Sequence, residues 1–213
     1  MSGDAYLGRR VEYAHAQLSE SDLDPDPIFQ LQKWISEALA ADVVEPNAAC
    51  FATADSEGTP NARTLLCRAV DARGLTFYSN RESAKGRELA QNPRACVNFW
   101  WGELERQVRI KGKVEIIKDA ESDAYFESRP IGSQAASSLS PQSQILVDRE
   151  SLDAAIQAKI SETKGSIPRP PYWGGYRLIP HYFEFWQGRP ARVHDRLVYQ
   201  LENGSWRVFR LAP

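Results

Sequence analysis

Arg192, His194 and Arg196 stand at i, i+2 and i+4 in a stretch of strand-like composition. In a strand that spacing sends two guanidiniums and an imidazole out on one face. Cations in a row repel one another, and the row becomes favourable when an anion or an electron-rich ring lies against it. Without such a partner the same pattern suits a solvated outer face. Tyr125 and Arg129 are four apart on an expected helix, which stacks them on one side, and Ser133 follows just past Pro130. A phenol, a guanidinium and a hydroxyl converging at a helix end can hold a phosphate through charge-assisted hydrogen bonds; an ordinary capped surface helix would look the same.

Further cations are scattered along the chain. Arg63 and Arg68 bracket the run Arg-Thr-Leu-Leu-Cys-Arg. Their odd spacing faces them to opposite sides of a regular strand, so sharing a ligand needs a bulge or a place at the strand end for one of them. Ser79 ends an expected strand, and Lys85 lies in the first turn of a helix capped by Ser83, a plausible anion site. Gln107 enters a strand as a polar residue, as an edge position would allow. The phosphate loops GxxxxGK[ST] and GxGxxG are both absent, as are GxSxG and HExxH. His15, His181 and His194 are too far apart to suggest a metal by spacing. Trp100, Trp101 and Trp186 suit a core or an interface as readily as a stacking role.

These side chains need elements to carry them. Phe29, Leu31, Trp34, Ile35, Ala38 and Leu39 recur at helical spacing between Asp26 and Asp42, with Pro27 suited to the first turn. Strands are expected at Ala48 to Ala54, Arg63 to Val70, Leu75 to Ser79, Ala95 to Trp101 and Gln107 to Ile117, with a short helix from Ser83 to Gln91 among them. Helices are expected at Ala120 to Ser128 and Ser151 to Thr163, with a helical turn within Ser133 to Ser143. Strands return at Tyr182 to Trp186, Arg192 to Gln200 and Trp206 to Leu211, and Glu202-Asn203-Gly204 forms the last hairpin turn. Consecutive strands at hairpin intervals favour an antiparallel sheet, closed or half closed into a barrel, over a βαβ array. The expectation is a polar, mobile arm over residues 1–25 and a single α+β domain over 26–213.

Composition sets the outer bounds. The 213 residues carry 26 Lys plus Arg against 28 Asp plus Glu, a formal charge of −2. That balance argues against a nucleic-acid binder held by overall basicity. Three dispersed cysteines, Cys50, Cys67 and Cys96, make neither a zinc site nor a disulfide framework. No signal peptide or membrane span is readable, so a cytoplasmic setting is expected.

Taken in order, these pieces resemble the pyridoxine/pyridoxamine 5′-phosphate oxidase family, from about Arg10 to Pro213. The resemblance is carried by Leu104-Glu105-Arg106-Gln107-Val108, Tyr125-Phe126-Glu127-Ser128-Arg129-Pro130, Phe185-Trp186-Gln187-Gly188, Arg192-Val193-His194-Asp195-Arg196 and Arg210-Leu211-Ala212-Pro213. It implies an antiparallel split β-barrel with flanking helices, forming a homodimer with FMN between subunits. The implied reaction oxidises pyridoxine or pyridoxamine 5′-phosphate to pyridoxal 5′-phosphate, with O₂ reduced to H₂O₂. Carried over by position, FMN would be held by Arg63, Thr64, Leu65, Leu66, Cys67, Arg68, Tyr78, Ser79, Lys85, Gln107, Gln142, Ser143, Trp186 and Arg196. Arg68, Tyr125, Arg129 and Ser133 would meet the substrate phosphate. Arg192 and His194 would flank the pyridine ring as the catalytic pair, and Arg10 and Tyr13 match a segment that folds over the substrate. No metal, nucleic acid or membrane is implied.

Two residues depart from the family pattern. Arg68 stands where Lys is common, which keeps the charge but changes reach and hydrogen-bond geometry. Ala84 stands where Arg often precedes the lysine, which removes one contact to the FMN phosphate. Two alternatives are a related flavin oxidase of phenazine biosynthesis and a non-catalytic flavin- or pyridoxal-phosphate-binding protein. The intact set Tyr125, Arg129 and Ser133 favours a phosphorylated substrate over the first, and the intact pair Arg192 and His194 favours an enzyme over the second.

Overall fold

A computed structural model describes residues 12–14 and 16–213; Arg10 and His15 lie outside them. Five α-helices and nine strands are described: α1 (Pro27–Ala40), β1 (Ala48–Ala54), β2 (Pro60–Leu66), β3 (Ala69–Asp71), β4 (Gly74–Asn80), α2 (Ala84–Gln91), β5 (Arg94–Trp101), β6 (Arg106–Ile116), α3 (Asp119–Glu127), α4 (Ile131–Leu139), α5 (Arg149–Glu162), β7 (Trp173–Gln187), β8 (Asp195–Glu202) and β9 (Ser205–Arg210). Strand neighbours follow the order β2-β1-β5-β6-β7-β4-β3, with β8 pairing β7 and β9. Every register given below is antiparallel, as the hairpin spacing requires, and the class is α+β. Among the described residues no helix is long and apolar enough to cross a membrane.

The chain divides into two compact units: 48–97 with 111–180, and 1–47 with 98–110 and 181–213. The first holds the β1–β2 hairpin, with Phe51 opposite Arg63, and the β4–β7 pairing, with Tyr78 opposite Gly175 and Asn80 opposite Trp173. Alternation along β1 and the almost fully buried β4 send Phe51 and Phe77 into contact, edge to face at 5.0 Å. Ser83 caps α2 by accepting the Gly86 N–H, and α2 closes over buried Leu89.

The second unit is built on α1. Asp26 caps it by accepting the Ile28 N–H at 2.8 Å, and Pro27 occupies its first turn, where a missing N–H costs nothing. The buried stripe of Ile28, Leu31, Trp34 and Ala38 meets Phe185 of β7 edge-on at 5.1 Å. Strands β7, β8 and β9 run as an antiparallel meander, Trp186 opposite Arg196 and Leu197 opposite Arg210. Its last turn has positive φ at both Asn203 and Gly204, the backbone of a two-residue hairpin loop.

Two expectations are corrected. Strand β7 has 15 residues and starts at Trp173, where a strand of only Tyr182 to Trp186 was expected; Gly174, Gly175 and Pro180 disguise it. Strand β8 starts at Asp195, so Arg192 and His194 lie before it and share no strand face with Arg196. Pro190–Arg192 instead forms a short 3₁₀ turn, with φ of +54° at Ala191 and +62° at Arg192.

Candidate active site

In the first unit, the break between β2 and β3 places Arg68 beyond the end of a strand, the position from which it can turn toward a ligand. It lines a cavity of about 500 Å³. The same wall presents Thr64, Leu65 and Leu66 of β2, with Tyr78 and Ser79 of β4. Tyr125 on α3 and Arg129 in the α3–α4 connection line it too. Ser133 in the first turn of α4, Gln142 beyond α4, and Trp173 opening β7 complete the lining named here. Helix α3 ends at Glu127, so Arg129 is not on it as expected, yet the tight connection through Pro130 still brings it beside Tyr125.

Among the described residues the charge of this cavity is one-sided: two guanidiniums line it and no carboxylate does. Arg129 donates to Ser137 Oγ at 2.9 Å and lies 4.7 Å over the Trp173 ring. Burial lowers its pKa, Tyr125 opposes that shift and Arg68 adds to it; an arginine stays charged regardless. Tyr78 and Tyr125 stack at 3.8 Å, and both rings run nearly parallel to Trp173. Gly175, opposite Tyr78, leaves room for that ring, since an added Cβ would come within 2.9 Å of it. Ser79 Oγ donates to Gln142 Oε1 at 3.3 Å and accepts from Lys85 Nζ at 3.1 Å. Lys85 is buried, bonded to the hydroxyls of Ser79 and Ser83. Burial and the neighbouring Arg63, against Glu88, push its ammonium down to about 8.

Four expected cofactor residues of this unit are not in the cavity lining: Lys85, which lies behind Ser79, and Arg63, Cys67 and Ser143. The Arg63 guanidinium donates to the Phe51 carbonyl at 3.2 Å, to the Thr53 hydroxyl, and to Glu88 Oε2 at 3.1 Å. Cys67 is buried with its Sγ 3.3 Å from the Ala69 carbonyl, and burial pushes the thiol up to about 12. Ser143 is exposed at φ +68°.

The remaining site residues belong to the second unit. Trp186 lies 4.6 Å from the His194 ring, and Tyr13 sits edge-on to both at 5.7 and 5.6 Å. His194 Nδ1 accepts the Arg189 N–H at 3.1 Å. Burial and the charge of Arg192, against Asp195, hold its imidazole below its ordinary pKa. It is therefore neutral near pH 7, with its proton on Nε2. Arg196 donates from Nε to Glu184 Oε1 at 2.8 Å, with Nη2 in ion-pair contact with the same oxygen at 2.8 Å, and from Nη1 to the Ala212 carbonyl at 2.9 Å. Glu184 is 2% exposed and also takes Arg109 and the Tyr182 hydroxyl. Gln107 is half-buried near the start of β6. Arg192 is exposed.

Sequence reasoning missed Trp173 and Ser137. The spacing of Ser137 four residues after Ser133 was a usable signal; Trp173 gave none, because it fell outside every element expected from the sequence.

A family model described as pyridoxamine 5′-phosphate oxidase matches residues 35–160, and one described as the pyridoxine 5′-phosphate oxidase C-terminal dimerisation region matches residues 173–213. The pyridoxine/pyridoxamine 5′-phosphate oxidase of Cupriavidus taiwanensis is 50% identical over 205 residues, covering 96% of this chain and 97% of its own. That of Synechocystis sp. is 47% identical over 214 residues, covering all of both chains. Among solved structures, PhzG from Burkholderia lata 383, in complex with tetrahydrophenazine-1-carboxylic acid, superposes with a TM-score of 0.88 at 36% identity, over 92% of this chain and 98% of that one. With identity near one half over nearly the whole chain, and a family model matching more than half of it, the chain belongs to the pyridoxine/pyridoxamine 5′-phosphate oxidase family.

Proposed function

We propose that this chain is an FMN-dependent oxidase that converts pyridoxine 5′-phosphate or pyridoxamine 5′-phosphate to pyridoxal 5′-phosphate, with O₂ as acceptor and H₂O₂ as second product. It acts as a cytoplasmic homodimer holding FMN where the subunits meet. The observation that carries the reading is the cavity lined by Arg68, Arg129, Tyr125 and Ser133 with no carboxylate among the described residues. Its volume is that of an ordinary small-ligand site, and uncompensated guanidiniums beside hydroxyls are what a phosphate requires.

The residues also fit the cofactor. Thr64, Leu65, Leu66, Tyr78, Ser79 and Gln142 line the same cavity, and the buried Lys85 ammonium meets only hydroxyls in its hydrogen bonds. These, with Gln107, Trp186 and Arg196, would hold FMN. Two features weaken the hold on its phosphate: Ala84 brings no charge, and Arg63 is partly neutralised by Glu88. FMN, when bound, supplies the two-electron acceptor that O₂ restores.

The chain's own part is binding and orientation. Arg129, Tyr125, Ser133 and Arg68 fix the substrate phosphate, while Arg192 and His194 flank the ring. His194 donates a hydrogen bond from Nε2 rather than serving as a base there, because its Nδ1 is occupied and its charged form disfavoured.

Purified protein loaded with FMN and mixed anaerobically with pyridoxine 5′-phosphate tests the reading. Bleaching of the flavin absorbance, and its return with H₂O₂ on admitting air, is expected. A protein that takes up no FMN, or whose flavin stays oxidised, refutes it. Bleaching by tetrahydrophenazine-1-carboxylic acid and not by the phosphorylated vitamer would favour the reaction of a PhzG-like oxidase instead.

A further inference from the structure

Arg129 presents a problem of charge. A guanidinium drawn partly out of water is commonly held by a carboxylate, but a carboxylate beside the half-buried Arg129 would consume the charge that an incoming anion needs. Among the described residues the cavity lining holds none. The cation is held instead by one hydroxyl, Ser137 Oγ, and by two ring faces, Trp173 at 4.7 Å and Phe126 at 5.5 Å. A ring quadrupole attracts a guanidinium without neutralising it, and among side chains tryptophan does so best.

Trp173 is rooted firmly enough for this task. It is 6% exposed. Its N–H donates to the Pro170 carbonyl at 3.0 Å, its carbonyl accepts from Arg169 Nη1 at 2.5 Å, and it pairs with Asn80 across β4. Its ring lies within 11° of Tyr78 at 5.5 Å and within 7° of Tyr125 at 6.2 Å, and Phe126 meets it edge-on at 4.9 Å. One indole thus backs both the guanidinium of Arg129 and, through the Tyr78–Tyr125 stack, the phenol that shares the cavity with it.

We propose that Trp173 is the positioning residue of the phosphate grip: its face orients Arg129 while leaving the charge free, and this sets the preference of the site for phosphorylated over unphosphorylated ligands. The inference rests on the phosphate-binding role assigned to the cavity above.

The test compares wild type with Trp173→Tyr, Trp173→Phe and Trp173→Leu, all as FMN-loaded protein. KM and kcat are read for pyridoxine 5′-phosphate, and dissociation constants are read by equilibrium dialysis for pyridoxal 5′-phosphate and for pyridoxal. KM and the pyridoxal 5′-phosphate constant should rise in the order Trp, Tyr, Phe, Leu, reaching about tenfold or more at Leu. The pyridoxal constant, kcat and the FMN stoichiometry should change less than about threefold on the same scale. If Trp173→Leu does not fold, the ring series alone carries the test, and equal KM across Trp, Tyr and Phe overturns the proposal. Parallel loss of affinity for pyridoxal and its phosphate, or a fall in kcat at constant KM, overturns it as well. Wild-type protein that neither binds pyridoxal 5′-phosphate nor oxidises pyridoxine 5′-phosphate refutes the underlying reading rather than the role of Trp173.

Discussion

At the scale of single residues, the difference between the two arginine types is one of partners. Arg63 and Arg196 are tied to Glu88 and Glu184, whereas Arg68 and Arg129 face a cavity without acid. Arg192 acts on its neighbour: its charge helps hold His194 neutral. Replacing Arg192 with Leu removes a positive charge, so the His194 imidazole should titrate at higher pH, a shift that NMR of the ring protons would read. The same variant should lower kcat/KM for pyridoxine 5′-phosphate by about 10²-fold, as expected when a substrate-orienting contact is lost, with FMN still bound. Unchanged turnover would remove Arg192 from substrate positioning. The site residues were legible as types, since phosphate chemistry demands cations and hydroxyls. Which guanidiniums stay uncompensated was not, because Glu88 and Glu184 pair with arginines 25 and 12 positions away in the chain.

At the scale of elements, what matters is how tightly α2 seats Lys85. The helix begins at Ala84 under the Ser83 cap, and Gly86 passes so close to the preceding turn that a Cβ there would lie 2.0 Å from the Arg81 carbonyl oxygen. Backbone cannot yield as a side-chain tip can. Gly86→Ala should therefore lower stability by about 1–3 kcal/mol, measurable as a reduced midpoint in chemical or thermal denaturation. A variant as stable as wild type would show that α2 can shift freely at its start. Elements with clear periodicity or caps, such as α1 and α2, were readable to within two residues. Strand β7 was not, because Gly-Gly and Pro are turn formers by local preference, and pairing with β6, β4 and β8 overrides that preference.

At the scale of the whole molecule, buried charge links fold stability to pH. Burial alone would raise the Glu184 carboxyl, but hydrogen bonds from Arg196, Arg109 and Tyr182 outweigh it and hold the group below its ordinary pKa. A carboxyl lowered in the folded state adds stability that is complete above its unfolded value, about 4.3, and is lost as pH falls through the folded one. Glu184→Gln leaves two guanidiniums without their anion and should cost about 3 kcal/mol near neutral pH. The gap to wild type should then close as the solution is acidified below about pH 4. A gap that stays constant with pH, in denaturant melts at several pH values, would mean that the cluster is not held by the ionised carboxylate.

Sequence alone determined the class and the chemistry of this protein. Hairpin spacing dictated an antiparallel α+β fold, and five short motifs in order marked the family. Tertiary structure decided the assembly of the site. It took Arg192 and His194 off the strand face where alternation had put them, through two successive positive-φ residues that no local pattern announces. It also brought beneath Arg129 an indole that belonged to no expected element. Local spacing reports which way a side chain leaves its own element. Which charges remain uncompensated depends on neighbours distant in the chain, and only the folded packing brings them together.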